Sequence, residues 1–340
     1  MPSKYDARSG TAAARYESAL HKLRIISTAA LVLGIIAIFV SMSVLVLGQQ
    51  AQPVVNQTKT SFGSTLAGID QPLNASSLSV INDAQNSYFE TAGEMYLNHS
   101  LANPVYPSIA QNVNTFVVGG KPSVIYLGSI TCIWCGENRW AMALALSRFG
   151  NFSNLYAGYS SLGDGDVPTL YWTPDQLNVS SDAIGNYYSS RYLNFISIED
   201  LNPIRGGFLI NSGSAILSNL ERLGNQTYIR AFGLIVNLSA NNQSTAFKGT
   251  PYTIWGGYQF GGADAEAFGN TTPSGSTIPL TYMTHGQVLA QLSNPNDQFA
   301  WTEYAGADVY IAAMCKTLNN TPNVSACQLP AIRGIEAQIK

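Results

Sequence analysis

The residues Cys132-Ile133-Trp134-Cys135 stand at the end of a hydrophobic run, Ser123-Val124-Ile125-Tyr126-Leu127-Gly128, and at the mouth of a helix-like stretch over 136–149. No other feature restricts the chain so strongly. The run predicts a strand over 123–127. The junction then sets the first cysteine where free helix N–H groups and the positive end of the helix dipole stabilise a thiolate. A thiolate is the species that attacks a disulfide, so Cys132 is a candidate nucleophile and Cys135 its resolving partner. Two other readings share the spacing: a structural disulfide, and half of a zinc site.

The flanking pattern predicts an α/β domain. In the helix over 136–149, Trp140, Ala143, Leu144 and Ser147 share one face, which leaves Glu137, Arg139 and Arg148 for solvent; the alternative for Glu137 and Arg139, which flank the cysteine pair, is that they tune a thiolate. A second apolar run over 155–159 completes a βαβ unit, so the first two strands are expected to be parallel with a right-handed crossover. Residues at about 160–235 read as an insertion, with strands over 169–172 and 192–198 and a helix over 214–223. Lys248-Gly249-Thr250-Pro251 then opens a hairpin that turns at Gly256-Gly257. Proline at the start of its first strand leaves only an outer N–H missing.

Upstream lies a membrane address. Residues 25–47 are uncharged and mostly apolar, long enough for a helix to cross a bilayer core. Lys4, Arg8, Arg15, Lys22 and Arg24 precede this run against only Asp6 and Glu17. That bias predicts a cytoplasmic tail (1–24), an uncleaved transmembrane helix (25–47) and an extracellular remainder. Residues 48–115 read as a stalk with a lead-in helix over 81–97, and 116–340 as the globular domain. Eleven N-x-S/T triplets lie on the expected outer side: Asn56, Asn74, Asn98, Asn151, Asn178, Asn225, Asn237, Asn242, Asn270, Asn319 and Asn323. They are candidate glycosylation sites of a membrane-anchored glycoprotein.

Charged residues make up 11% of the chain, against about 25% in ordinary soluble domains. Beyond the anchor, 12 Lys and Arg face 18 Asp and Glu, and no basic patch forms, so nucleic acid is not an expected partner. A surface of Asn, Ser, Thr and Tyr loses little charge balance in acid, which predicts a protein that stays folded in an acidic medium. The four cysteines fall on the exported side, where disulfides persist. Cys315 and Cys327 form the second pair, expected as a structural staple between a helix end and a turn at Pro322.

A zinc site needs two ligands beyond the C-x-x-C, from Cys315, Cys327, His99 and His285, and no second close pair supplies them. Asp164 and Asp166 lack the downstream Glu of a calcium loop. His285 reads as a loop or helix-cap residue, and no G-x-S-x-G motif accompanies it. No metal and no cofactor is expected.

Strand, C-x-x-C, helix, strand, and a later Gly249-Thr250-Pro251 opening a hairpin resemble the pattern of thioredoxin-like and DsbA-like oxidoreductases. The resemblance implies that Pro251 is a cis-proline against the cysteine pair. It also implies that Thr250 lends a backbone group to an extended substrate, with Trp134 beside it in the binding surface. Ile133 and Trp134 replace the Gly-Pro or Pro-His of familiar members, so neither a reductase nor a strong-oxidant assignment carries over. The stretch from Trp140-Ala141-Met142-Ala143 through Arg148-Phe149-Gly150, together with Cys315 and Cys327, also resembles an archaeal membrane-anchored family of unknown function.

The expected function is thiol–disulfide exchange on exported proteins by an extracellular, membrane-anchored domain. The alternative is a cell-surface glycoprotein or interaction domain that keeps the fold and holds Cys132–Cys135 as a fixed disulfide.

Overall fold

A computed structural model describes residues 71–101, 111–129, 132–160, 167–173, 183–200, 213–241, 251–261, 283–294, 296–320 and 324–339. The chain divides into two compact units, Met1–Lys59 and Thr60–Lys340, and every described residue belongs to the second. Among the described residues no helix is long and apolar enough to cross a membrane; the apolar run over 25–47 lies outside them.

The second unit mixes helices and strands. It begins with α1 (Ala75–Asn82), α2 (Asn86–Leu97), β1 (Gln111–Asn112), β2 (Val117–Val118), β3 (Lys121–Ser129) and α3 (Ile133–Leu146). Short strands follow: β4 (Asn151–Phe152), β5 (Tyr156–Ser160), β6 (Val167–Tyr171), β7 (Ala183–Ile184) and β8 (Tyr188–Ser189), then the longer β9 (Asn194–Asp200). Helices α4 (Gly213–Leu223) and α5 (Gln226–Asn241) precede the hairpin β10 (Tyr252–Trp255) and β11 (Tyr258–Gly261). Helices α6 (His285–Leu292), α7 (Gln298–Thr317) and α8 (Pro330–Gln338) end the unit, with a 3-10 turn at Ser325–Gln328 before the last.

The main sheet runs β1-β11-β10-β3-β9-β7, with β2 paired to the start of β3. Among the described strands only β3 and β9 pair in parallel; β10 runs antiparallel to β3. Period-2 alternation sorts the side chains of the central strands onto two faces. Ile125, Leu127, Ile196, Ile198 and Ile254 join Ile216, Leu220, Phe232 and Ile235 of α4 and α5 in one cluster. Val124, Tyr126, Phe195 and Trp255 enter a larger cluster with α3 and α7 on the opposite face. Helices on both faces explain why β3 and β9 read as nearly continuous apolar runs.

Three expectations are corrected here. The apolar run at 155–159 becomes β5, but β5 pairs antiparallel with β6 in a separate ribbon and is not the parallel partner of β3. That partner is β9, from within the expected insertion, registered Ser123↔Asn194 through Ser129↔Asp200. Only six residues separate the end of β5 from the start of β6, too few for a parallel crossover, so the two pair as an antiparallel hairpin. β9 carries the apolar residues for both faces that a central parallel strand requires.

The lead-in helix over 81–97 is two helices broken at residues 83–85, and they are core rather than stalk. Phe89 meets the edge of Tyr304 on α7 at 4.9 Å between ring centres. Gly93 permits the approach of α8: a Cβ there would lie 2.8 Å from Cβ of Ala331. The third correction concerns Arg148, expected wet. It is half-buried and donates to the Asn82 carbonyl at 2.9 Å, capping the end of α1.

Cys315, near the end of α7, and Cys327, in the 3-10 turn, form a disulfide across a Cα–Cα distance of 5.4 Å. Closing a loop with a sequence separation of 12 restricts the unfolded chain by about 3 kcal/mol. The double variant Cys315→Ser/Cys327→Ser is expected to lose about that much stability in denaturant titrations, again from loop entropy. An unchanged midpoint would show that this cross-link constrains nothing beyond what the helices already hold.

Candidate functional site

The geometry of the cysteine pair follows from how α3 begins. Cys132 is the N-cap, in extended backbone with φ −84° and ψ 119°, and its Sγ accepts the Cys135 N–H at 3.3 Å. The helix therefore starts at Ile133, one turn earlier than the pattern over 136–149 suggests, and Cys135 lies inside its first turn. A sulfur in this place sees a backbone donor and the positive end of the helix dipole, both of which favour its ionised form.

The two sulfurs differ in access. Cys132 is half-buried, whereas Cys135 has no exposed surface. Burial pushes the Cys135 thiol well above its ordinary range. The neighbouring Cys132 adds to this, the Arg139 guanidinium acts against it, and Glu199 adds slightly again. The Ser129 N–H points at the Cys135 sulfur at 3.4 Å, and the Ser129 carbonyl accepts the Cys132 N–H at 3.2 Å. The last residue of β3 thus ties both cysteines to the sheet.

Glu137 and Arg139 correct the expectation of a wet helix surface: both are buried, because α3 is covered by the sheet on one side and by α7 and β6 on the other. Arg139 lies one turn beyond Cys135, the spacing that puts two helix residues on one face. It forms a two-pronged ion pair with Glu199 of β9, Nε to Oε1 and Nη2 to Oε2, each 2.9 Å. The same Nη2 reaches the Ser129 carbonyl at 3.2 Å, and Nη1 reaches Thr169 Oγ1 at 3.3 Å. Tyr126 completes the floor, its ring centre 5.7 Å from the guanidinium carbon. Its phenol leaves no room for a Cβ on Gly128, which explains glycine there.

Glu137 turns the other way, toward Glu303 on α7. Both carboxyls, and that of Asp308, are buried and make no hydrogen bond of ordinary geometry among the described residues.

Trp134 is half-buried and packs on the larger core cluster beside the pair. Pro251 is buried just ahead of β10. Because Tyr252 pairs with Leu127, Pro251 falls beside the end of β3 that leads into the cysteine turn. Thr250 lies outside the described residues, as do Asp164 and Asp166. His285 is the first residue of α6 behind the N-cap Thr284, with Nε2 2.7 Å from the Gly158 carbonyl oxygen and 2.9 Å from that of Thr169. It braces β5 and β6. Of the glycosylation triplets, Asn74, Asn98, Asn151, Asn225, Asn237 and Asn319 are described, and all are exposed; Asn56, Asn178, Asn242, Asn270 and Asn323 lie outside the described residues.

Sequence reasoning missed Glu199 and Tyr126. Tyr126 looked like any aromatic in a strand. Glu199 carried one readable signal, an acidic residue closing an apolar run.

No curated protein and no solved structure matches the chain. A family model described as a domain of unknown function, DUF929, matches residues 107–316. The match takes in β3, the cysteine pair, Arg139, Glu199, the hairpin and Cys315. With that span covering more than half its length, the chain belongs to the DUF929 family.

Proposed function

We propose that this protein is a membrane-anchored extracellular thiol–disulfide oxidoreductase of thioredoxin-like fold, acting on exported proteins through Cys132 and Cys135. The observation that carries the reading is the asymmetry of the pair: a partly exposed N-cap cysteine beside a fully buried one. Exchange needs that division of labour. The Cys132 thiolate attacks one sulfur of a substrate disulfide, and the other substrate sulfur leaves as a thiolate and takes up a proton. Cys135 loses its proton and attacks Cys132 Sγ, which releases the second substrate sulfur. The pair ends as a disulfide, and the substrate has gained two electrons and two protons. Run backwards, the same steps oxidise a dithiol.

The fold reading is supported by the sheet order β11-β10-β3-β9, with the cysteine turn after β3, a parallel β9, and a hairpin entered from Pro251. Pro251 and Thr250 would then dock an extended substrate strand beside Cys132, with Trp134 at its flank. Placement outside the cell, with the N-terminus cytoplasmic, rests on the run over 25–47 and its basic flank. The exposure of the six described acceptor asparagines supports glycosylation.

The test is turnover by the full-length protein in detergent micelles. Reduction of insulin with dithiothreitol, or oxidation of a dithiol peptide with glutathione disulfide, is expected to exceed the buffer rate. Background rates in both directions would overturn the reading and leave a surface glycoprotein with a fixed disulfide.

A further inference from the structure

Beneath the cysteine pair lies a full positive charge, buried together with its counter-charge. Arg139 is 0% exposed and Glu199 1%. Taking such a pair out of water is costly, and well-packed apolar residues of similar size usually do as well or better. Glu199 takes two of the five guanidinium N–H donors, one from Nε and one from Nη2. The same Nη2 also holds the Ser129 carbonyl, which accepts the Cys132 N–H, while the Ser129 N–H points at Cys135 Sγ. Arg139 is thus on the Cys135 face of α3, and its carboxylate partner sits on β9 opposite Gly128.

We propose that Arg139, held by Glu199, is the positioning residue that sets the redox poise of the Cys132–Cys135 pair, stabilising the dithiol form by placing a buried cation beneath the cysteine turn. The inference rests on the exchange reading above. When the pair's disulfide gains two electrons, two sulfurs appear that carry protons or negative charge. A cation fixed behind them favours the form in which Cys132 is a thiolate and so makes the pair more oxidising. Burial and Cys132 raise the Cys135 thiol most; against them Arg139 lowers it, by more than Glu199 raises it. Tyr126, whose ring lies against the guanidinium, excludes water from the same space.

The experiment is equilibration of the full-length protein in glutathione buffers, with alkylation and mass analysis of Cys132 and Cys135. Three variants are compared with the parent. Arg139→Met/Glu199→Leu removes both charges and keeps an apolar pair, and its equilibrium constant is expected to shift at least tenfold toward the disulfide, about 30 mV more reducing. Glu199→Gln leaves the cation without its counter-charge and is expected to shift the opposite way. Arg139→Lys keeps the charge without the fork and is expected to stay closer to the parent than the double variant. A purely structural role predicts no such reversal of sign. A parent pair that exchanges, with potentials unmoved or moved alike in the variants, overturns this inference and leaves the exchange reading standing. A parent pair that no buffer reaches without unfolding overturns both. If the double variant does not fold, the sign of the Glu199→Gln shift decides.

Discussion

Stability of the folded chain is expected to peak near pH 4 to 5 and to fall as the pH rises from there. The cause is three buried carboxyls. Glu137 and Glu303 face each other between α3 and α7, and burial raises both well above the ordinary carboxylate range; the Ala141 backbone beside Glu303 offsets a little of this. Asp308 is raised in the same way, and by Glu90 on α2, with Arg148 acting against it. In the unfolded chain these groups titrate near pH 4. Below that value both states hold the protons and the fold keeps its full stability. As the pH rises, the unfolded chain releases protons that the folded core retains, so unfolding becomes easier until the raised folded values are passed. Each such group contributes a slope of about 1.4 kcal/mol per pH unit, so three together give as much as about 4.

His285 works in the opposite sense. Burial lowers its imidazole, so the fold holds it neutral, and acidification below about pH 6.5, its unfolded value, costs stability. One histidine against three carboxyls still leaves the net slope falling between pH 4.3 and 6.5, the ordinary Glu and His values. Below the ordinary carboxylate range the three carboxyls add no further slope and the histidine is left alone to act, so the curve turns over. Denaturant midpoints measured from pH 2.5 to 8 test this, with Glu137→Gln and Asp308→Asn each expected to flatten the slope by about 1.4 kcal/mol per unit. Midpoints that rise steadily toward neutral pH would contradict it. The sparsely charged surface pointed to acid tolerance for a different reason. The core adds an internal one.

Cys132→Ser is expected to reduce thiol–disulfide exchange to the uncatalysed rate while leaving stability within about 0.5 kcal/mol, because serine is among the best N-cap residues. Its hydroxyl can take over the hydrogen bond that Cys132 Sγ accepts from the Cys135 N–H. Activity and folding are therefore separable at this position. Cys135→Ser differs on both counts. It should trap substrates as mixed disulfides with Cys132, since no resolving thiol remains. It also sets a hydroxyl in a site with no exposed surface, at about 1–3 kcal/mol if left unpaired. Mass analysis of trapped complexes and a denaturant titration check the pair of variants together. Full activity in Cys132→Ser would remove the nucleophile from the mechanism.

Much of the local structure was legible before any coordinates. The strand ahead of Cys132, the helix over 214–223, the turn at Gly256-Gly257 and the pairing of Cys315 with Cys327 all appear as read. Each is written in short-range chemistry: a run of β-formers, a helical period, two glycines, two cysteines at loop-closing distance. Even the cap geometry of Cys132 is local, since an N-cap acts on its own first turn.

What only the tertiary structure decided is who meets whom. The strand at 155–159 and β9 are both short apolar runs, and nothing within either says which lies beside β3. That choice depends on covering both faces of the sheet and on where the intervening turns send the chain. The same holds for Glu137, Arg139 and Arg148, placed in water by the helical pattern around them. Burying a charge is costly unless a partner waits, and the partners of the two arginines come from elsewhere, Glu199 on β9 and the carbonyls that end α1, whereas Glu137 meets another carboxyl, Glu303 on α7, and is pushed toward its protonated form. A helix pattern shows which side is apolar. It does not show that a second layer covers the polar side too, and that layer is what turns Arg139 from a surface residue into the floor of the cysteine pair.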